Sequence, residues 1–126
     1  MKNNNDPQFK EFFDGYVEEA ARTFTEIPNA KVEYFSPRAL EIMEEDCQAF
    51  YNQNIHVLEE VESSMDQNGH DFWLARCGHG SGFWDRKYKS RTPDLYNILD
   101  FAAKRCHECE LYVSDDNNIV IDVYGR

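Results

Sequence analysis

Three helix-start signals divide this chain, and they restrict its fold more than any other feature. In each one a side chain that can accept a hydrogen bond precedes a proline, at Asp6-Pro7, Ser36-Pro37 and Thr92-Pro93. Asp, Ser and Thr cap the free N–H groups of a first helical turn, and proline fits that turn because its missing N–H is not needed there. The sequence therefore predicts helices that begin near residues 7, 37 and 93.

Apolar spacing supports all three helices. Aromatic and aliphatic residues recur every three or four positions after Pro7, which predicts an amphipathic helix that ends near Thr25. The same spacing after Ser36 predicts a longer helix that runs to about Glu62. Between them, residues 32–34 fit either a short strand or an ordered loop. The third helix is expected to bury Leu95, Ile98, Leu99 and Ala102.

The remaining segments read as turns and strands. Residues 63–69 are polar and end in Asn-Gly, which predicts a loop. Residues 70–76 and 83–86 are rich in aromatics and flank a glycine-rich stretch, which predicts a first hairpin. Residues 111–113 and 119–124 flank a polar turn and predict a second hairpin.

This order of elements predicts an α+β fold. It has two N-terminal helices and an antiparallel sheet built from two hairpins with a helix between them. The 126 residues fit one domain, residues 1–126, with a disordered start over residues 1–6.

Net charge excludes several classes of partner. The chain has 13 Lys and Arg against 24 Asp and Glu, a net charge of −11. Broad binding of nucleic-acid phosphates or of anionic membranes needs clustered cations, so we expect neither direct nucleic-acid binding nor membrane docking. The N-terminus lacks the apolar stretch of a signal peptide, which favours a cytosolic location.

The segment from Gly69 to Arg86 is the densest in unusual residues. It reads Gly-His-Asp-Phe-Trp-Leu-Ala-Arg-Cys-Gly-His-Gly-Ser-Gly-Phe-Trp-Asp-Arg and holds both tryptophans and four of the six glycines. It resembles a motif in a family of small tailed-bacteriophage proteins to which no activity is attached. Those proteins typically read Gly-His-Asp-Phe-Trp-Leu-Thr-Arg-Asn-Gly-His-Gly-Ala-Gly-Phe-Trp-Asp-Arg.

The resemblance spans roughly residues 45–124 and includes Cys47-Gln48-Ala49-Phe50 and residues 111–116. This chain departs from the motif at Ala75, where Thr is usual, and at Cys77, where Asn is usual. It also carries an insert, Cys106-His107-Glu108-Cys109. The resemblance implies a viral origin, and hence the cytoplasm of a bacterial host, but it brings no catalytic residues.

Three interpretations of this segment stay open. In the first, its polar residues satisfy one another across a tight hairpin, for example with Asp85 bridging Arg76 and a histidine. In the second, it is a recognition site that holds an anion or a partner's carboxylate. The candidates for that site are His70, Asp71, Trp73, Arg76, His79, Trp84, Asp85 and Arg86.

In the third interpretation the segment is catalytic. His70 beside Asp71, or His79 with Ser81, suggests an acid–base or nucleophilic pair. The string Gly-His-Gly-Ser-Gly is nevertheless not the nucleophile elbow Gly-x-Ser-x-Gly. The sequence therefore favours a protein without catalytic residues.

Cysteine and histidine spacing raises the question of a metal. Free thiols are expected in a reducing cytosol, so neither a metal nor another cofactor is predicted. The alternative is a zinc site formed by Cys77, His79, Cys106 and Cys109, because tetrahedral zinc is bound by such closely spaced pairs.

Acidic residues concentrate in the first half of the chain, which carries −9 of the net −11. A solvated helix face explains such a run, and so does an imitation of DNA phosphates that occupies a basic groove. The candidate contact residues are Glu41, Glu44, Glu45, Glu59 and Glu60.

Together these features favour a phage accessory protein that binds and modulates or inhibits a host protein. That partner is expected to be a defence factor, of the kind met by anti-CRISPR or anti-restriction proteins, or a nucleic-acid-processing factor. The alternative is a small enzyme or ligand-binding domain centred on the His, Arg and Trp residues of the predicted hairpin.

Overall fold

The computed structural model describes residues 6–77, 81–115, 117 and 119–125. Five helices and a two-stranded antiparallel sheet make an α+β fold. They are α1 (Pro7–Thr23), α2 (Pro37–Glu60), α3 (Met65–Arg76), the short α4 (Phe83–Arg86), α5 (Pro93–Lys104), β1 (Leu111–Asp115) and β2 (Val120–Val123). No helix in these ranges is long and apolar enough to cross a bilayer.

Two of the predicted caps form as expected. The Asp6 carboxylate accepts from the Gln8 N–H, and the Ser36 hydroxyl accepts from the Ala39 N–H. Asp6, in the start that the sequence predicts to be disordered, also accepts a hydrogen bond from the Tyr51 hydroxyl. Residues 1–5 lie outside the described part of the chain.

The C-terminal hairpin is confirmed. Leu111 pairs with Val123 and Val113 with Ile121, and the register shifts between Val113 and Asp115. An isolated bridge joins Phe35 to Ile121, which ties the hairpin to the segment before α2. Residues Val32–Tyr34, for which the sequence left strand and loop open, form a single 3₁₀ turn.

The prediction of a first hairpin is wrong. Residues 70–76 belong to α3, which begins at Met65 inside the predicted loop, and residues 83–86 form α4. The sheet therefore contains one hairpin in the described residues, and the predicted two-hairpin arrangement is not formed. Ser64 caps α3 through a hydrogen bond from the Gln67 N–H.

Apolar spacing does not reveal α3 in the sequence because the buried face of this helix is partly polar. The residues that α3 turns toward the core recur at helical spacing but include Asn68, Gly69 and Arg76, which do not read as apolar. After α3, Gly82 takes a φ of 77° and its carbonyl accepts from the N–H groups of Asp85 and Arg86. That turn starts a helix where the sequence suggested a returning strand.

The core is an aromatic stack between α1, α2, α3 and α4. The Phe50 and Phe72 rings lie 4.0 Å apart, and Phe12 and Phe83 extend the stack on either side. Helices α1 and α3 cross so closely that a Cβ on Gly69 would overlap the Phe12 carbonyl oxygen. A Cβ on Gly15 would meet the Asp66 backbone in the same way. The two glycines thus fix the contact from which the rest of α3 is positioned.

Candidate functional site

Helix α3 presents two different faces. The core face packs against the aromatic stack and consists of Met65, Asn68, Gly69, Phe72, Trp73 and Arg76. The cleft face borders an open cleft and consists of Gln67, His70, Asp71 and Leu74.

The cleft has a volume of about 670 Å³ and lies between α1, α3 and the segment 81–89. Four of the eight candidates from the predicted hairpin line it, namely His70, Asp71, Asp85 and Arg86. The structure thus brings together residues that sequence reasoning placed on paired strands, although a helix and a turn position them.

Asp71 and Arg86 form the pair at the centre of the cleft. The Asp71 side chain is 1% exposed, and it accepts from Arg86 Nε at 3.1 Å and from Gln67 Nε2 at 3.0 Å. Burial raises the pKa of Asp71, and Arg86 opposes that rise. A Cβ on Gly82 would lie 2.6 Å from the Asp71 carbonyl oxygen, so glycine there lets the segment carrying Arg86 approach α3.

A second pair of the same kind lies on α1. The Glu19 carboxylate is 3% exposed and accepts from Arg22 through both oxygens, with Nε at 2.7 Å from Oε1. The hydrogen bonds from Arg22 to Glu19 raise the pKa of the Arg22 guanidinium. Sequence reasoning missed this pair, although an acid and an arginine three residues apart on a helix are a recognisable signal.

Arg76 lies on the core face and outside the cleft. Its side chain is 3% exposed and donates to the Tyr16 hydroxyl, the Asp46 carboxylate and the His107 carbonyl. Burial opposes its charge, but Tyr16 and Asp46 outweigh burial and raise the pKa of Arg76 above its ordinary value. The expected bridge from Asp85 to Arg76 is therefore wrong, because Arg76 joins α3 to α1, α2 and residue 107 instead.

The two tryptophans have unlike surroundings. Trp73 is buried and its Nε1 donates to Thr23 Oγ1 at 2.9 Å. Trp84 is exposed on α4, with Lys87 Nζ 3.3 Å from the centre of its ring. Neither tryptophan lines the cleft, and His79 lies outside the described residues.

Trp84 belongs to a larger surface, which we call the aromatic face. Tyr88 packs on Trp84 edge to face, and Lys104 Nζ lies 5.3 Å from the Trp84 ring centre. Just after α5, the Arg105 guanidinium lies over the Phe101 ring at 5.5 Å. The aromatic face is formed by Trp84, Lys87, Tyr88, Ile98, Phe101, Lys104 and Arg105.

Sequence reasoning missed the aromatic face and misplaced one of its members. Ile98 was expected on the buried side of the third helix, but it is exposed. Leu99 is buried as expected, and Tyr96, Asp100 and Ala103 are buried with it. The sequence does carry one signal for this face. Phe101, between Ile98 and Lys104, is an apolar residue on the side of the helix that carries the charged residues.

The cysteines are thiols shielded from water to different degrees. Burial raises the pKa of Cys77 to about 12 and raises the pKa of Cys106 and of Cys47. Among the described residues no group of three or more His, Cys, Asp or Glu side chains is arranged to hold a metal ion. The proposed zinc set includes His79, which those residues do not contain.

The acidic candidates all lie on α2 but do not form a continuous stripe. Glu41 and Glu45 are exposed near its start, Glu59 and Glu60 are exposed at its end, and Glu44 is half-buried. At a helical rise of 1.5 Å per residue, about 21 Å separates Glu45 from Glu59 along the helix. Ala49, Asn52, Gln53 and His56 occupy the exposed positions between them.

Comparisons with known proteins give no relative from which a role could be transferred. No protein family model matches the chain, and neither the search of curated proteins nor the search of solved structures finds a significant match.

Proposed function

We propose that this chain is a non-enzymatic accessory protein that binds and modulates a protein of its host, and that the aromatic face makes the contact. The observation that carries the proposal is the clustering of exposed apolar side chains. Six large apolar side chains are exposed in the described part of the chain. Trp84 and Tyr88 are in ring contact, and Ile98 and Phe101 lie three residues apart on α5, the helix whose Lys104 reaches the Trp84 ring.

The aromatic face has the composition of a binding surface. Tyr88 is 69% exposed and Phe101 is 64% exposed, so each presents ring surface that a partner can remove from water. Tryptophan, tyrosine and arginine are the residues that most often dominate binding energy at interfaces. Lys87 lies over the Trp84 ring, and Lys104 is held near the same ring by an ion pair with Asp100 at 2.9 Å.

Charge indicates the chemistry of the partner. The aromatic face carries three cations, Lys87, Lys104 and Arg105, in a chain whose net charge is −11. A partner that presents carboxylates around an apolar pocket complements this face and is repelled by the rest of the surface. We therefore propose an acidic, partly apolar protein surface as the target.

The acidic end clusters of α2 are the competing contact surface. Glu41 with Glu45 and Glu59 with Glu60 lie at opposite ends of the helix. They suit a basic groove longer than about 20 Å, as in a protein that holds duplex DNA, and they carry the proposal of DNA mimicry. The neutral residues between them weaken that proposal relative to the aromatic face.

The kind of host cell that we propose follows from the resemblance to bacteriophage proteins. On that basis the partner is a bacterial protein in the host cytoplasm, either a defence factor or a nucleic-acid-processing factor. The resemblance covers α4 and α5 as well as α3, so the aromatic face lies inside the region it spans.

Site-specific photo-crosslinking in host cells tests the proposal. A photoreactive amino acid replaces Phe101 in one variant and Tyr124 in the other, since Tyr124 is similarly exposed but lies beyond β2. We expect one host protein to crosslink at position 101 and not at position 124. The crosslinking yield at position 101 should fall when Tyr88→Ala is added. It should stay unchanged when Glu45→Lys and Glu59→Lys are added together.

The opposite pattern of effects on crosslinking would assign the contact to the acidic residues of α2. If the glutamate reversals abolish capture of the partner and Tyr88→Ala does not, then α2 is the contact and the aromatic face is not. If no protein crosslinks at position 101 in any host that supports the phage, the proposed contact is wrong.

A further inference from the structure

We infer that the cleft is a binding site for a small organic molecule that carries phosphate. It is distinct from the proposed contact with a host protein because it depends on α1, on α3 and on cations that the aromatic face does not include, although Tyr88 borders both.

The arginines of the cleft are held in place, and each keeps side-chain nitrogen donors that are available to a ligand. Arg22 is fixed by Glu19 through Nε and one terminal nitrogen, which leaves its other terminal nitrogen available. Arg86 is fixed to Asp71 through Nε alone, at 3.1 Å, which leaves both terminal nitrogens available. Neither guanidinium group has a further hydrogen-bond partner among the described residues.

The two carboxylates that hold these arginines are themselves buried. Glu19 is 3% exposed and Asp71 is 1% exposed, whereas the Arg22 and Arg86 side chains are 70% and 44% exposed. Within these two pairs the negative charge is buried while the positive charge faces the cleft, and the exposed Asp85 is the acid that does face it. A ligand in the cleft meets donors first, although each pair is nearly neutral overall.

Lys89 and His70 border the same space. Lys89 lines the cleft, is exposed and has no ion-pair partner in the described ranges. The His70 imidazole also lines it, with Nε2 at 3.9 Å from Glu18 Oε1. Asp85 is the acidic member of the lining that no cation holds among these residues.

The geometry favours phosphate over a single carboxylate. Guanidinium groups bind phosphate through paired N–H bonds, and anchored arginines lose little side-chain freedom when they bind. Two arginines and a lysine suit the multiple charge of a phosphate or diphosphate. The volume of about 670 Å³ holds a molecule of nucleotide size, with Leu74 and Tyr88 as apolar walls for its remaining part.

Titration calorimetry with inorganic pyrophosphate tests this inference on the full chain. We expect saturable binding of one pyrophosphate per chain that weakens as salt is added. Arg22→Gln and Lys89→Ala should each weaken binding about tenfold, since each removes a charge-assisted contact. Lys31→Ala removes an exposed cation outside the cleft and should leave binding unchanged.

Three outcomes overturn the inference. One is no saturable binding at millimolar pyrophosphate, and another is equal weakening by Lys31→Ala and Lys89→Ala. The third is tighter binding of malonate than of pyrophosphate, which assigns the cleft to dicarboxylates. An unchanged affinity in Phe101→Ala keeps this result independent of the host partner, and urea unfolding verifies that each variant is folded.

Discussion

The two faces of α3 handle charge in opposite ways. On the core face the cation is buried and its carboxylate partner is partly exposed, with Arg76 at 3% and Asp46 at 18%. On the cleft face the carboxylate is buried and the cation is exposed, with Asp71 at 1% and Arg86 at 44%. The Arg76 side chain donates hydrogen bonds to three groups within the protein, whereas the Arg86 side chain donates one.

This difference separates a structural arginine from one that can bind a ligand. A buried arginine is tolerated only when its donors are satisfied, so Arg76 ties together the elements that surround it. An exposed arginine on a buried carboxylate is held in position with donors left over. Helix α3 carries Arg76 of the first pair and Asp71 of the second, so mutations on its two faces should have separable effects on stability and on binding.

The largest effect is expected where the core face is most crowded. Gly69→Ala places a methyl group against the Phe12 backbone and forces α1 and α3 apart, so we expect a loss of about 4 kcal/mol in the free energy of unfolding. Urea denaturation followed by tryptophan fluorescence measures it. His70 is the next residue but lies on the cleft face, so His70→Ala is the matched control and should lose less than about 1 kcal/mol. Equal losses in both variants would remove the distinction between the faces.

The next effect concerns the buried arginine. Arg76→Met keeps much of the side-chain volume but leaves the Asp46 carboxylate, the Tyr16 hydroxyl and the His107 carbonyl without their shared donor. We expect a loss of about 3 kcal/mol, typical of breaking a buried pair by removing one partner. Differential scanning calorimetry of Arg76→Met and of Asp46→Asn, which retains an acceptor, measures it. A loss below about 1 kcal/mol in Arg76→Met contradicts the structural role.

How much of this could be predicted from the sequence depends on what each signal reports. Apolar spacing and a proline at each helix start identified α1, α2 and α5; Asp6 and Ser36 cap their helices, whereas the Thr92 side chain makes no cap hydrogen bond. The same reasoning failed for α3, whose buried face includes Asn68, Gly69 and Arg76. Their burial depends on a close crossing with α1 and on distant partners, neither of which local spacing encodes.

Four of the eight candidate residues border the cleft, and the helix and turn that position them were not predicted. His70, Asp71 and Arg86 do lie around one cleft, yet Arg76 and Trp73 point into the core from the other side of the same helix. A strand would have placed alternate residues on opposite faces, whereas a helix groups them every three or four. Glu19 and Arg22 enter the cleft only because α1 crosses α3, so no reading of the segment 69–86 alone could include them.

A smaller effect, dependent on pH, is expected in the cleft. Arg86→Ala leaves the buried Asp71 carboxylate without its cation, and we expect a loss of about 2 kcal/mol at neutral pH. The pKa of Asp71 is already raised by burial and rises further without Arg86. A carboxyl whose folded pKa lies above its unfolded value destabilises the fold once it ionises, so the loss should shrink as the pH falls through the folded pKa.

Urea unfolding of wild type and Arg86→Ala at neutral pH and at about pH 4 measures this dependence. The double variant Asp71→Asn/Arg86→Ala is the control, because a neutral amide needs no cation and should recover most of the stability. A loss that grows on acidification, or a double variant no more stable than Arg86→Ala, contradicts the assigned pair.

The smallest effect on stability is expected for the cation that has no structural partner. Lys89 is exposed and lines the cleft without holding a buried carboxylate, so Lys89→Ala should change the free energy of unfolding by less than about 0.5 kcal/mol. The same variant is expected to lose pyrophosphate affinity, whereas Gly69→Ala loses stability by separating the helices. Paired unfolding and calorimetric titration of Lys89→Ala measure both quantities. If its stability falls as far as that of Arg86→Ala, then Lys89 supports the fold and the cleft face is structural too.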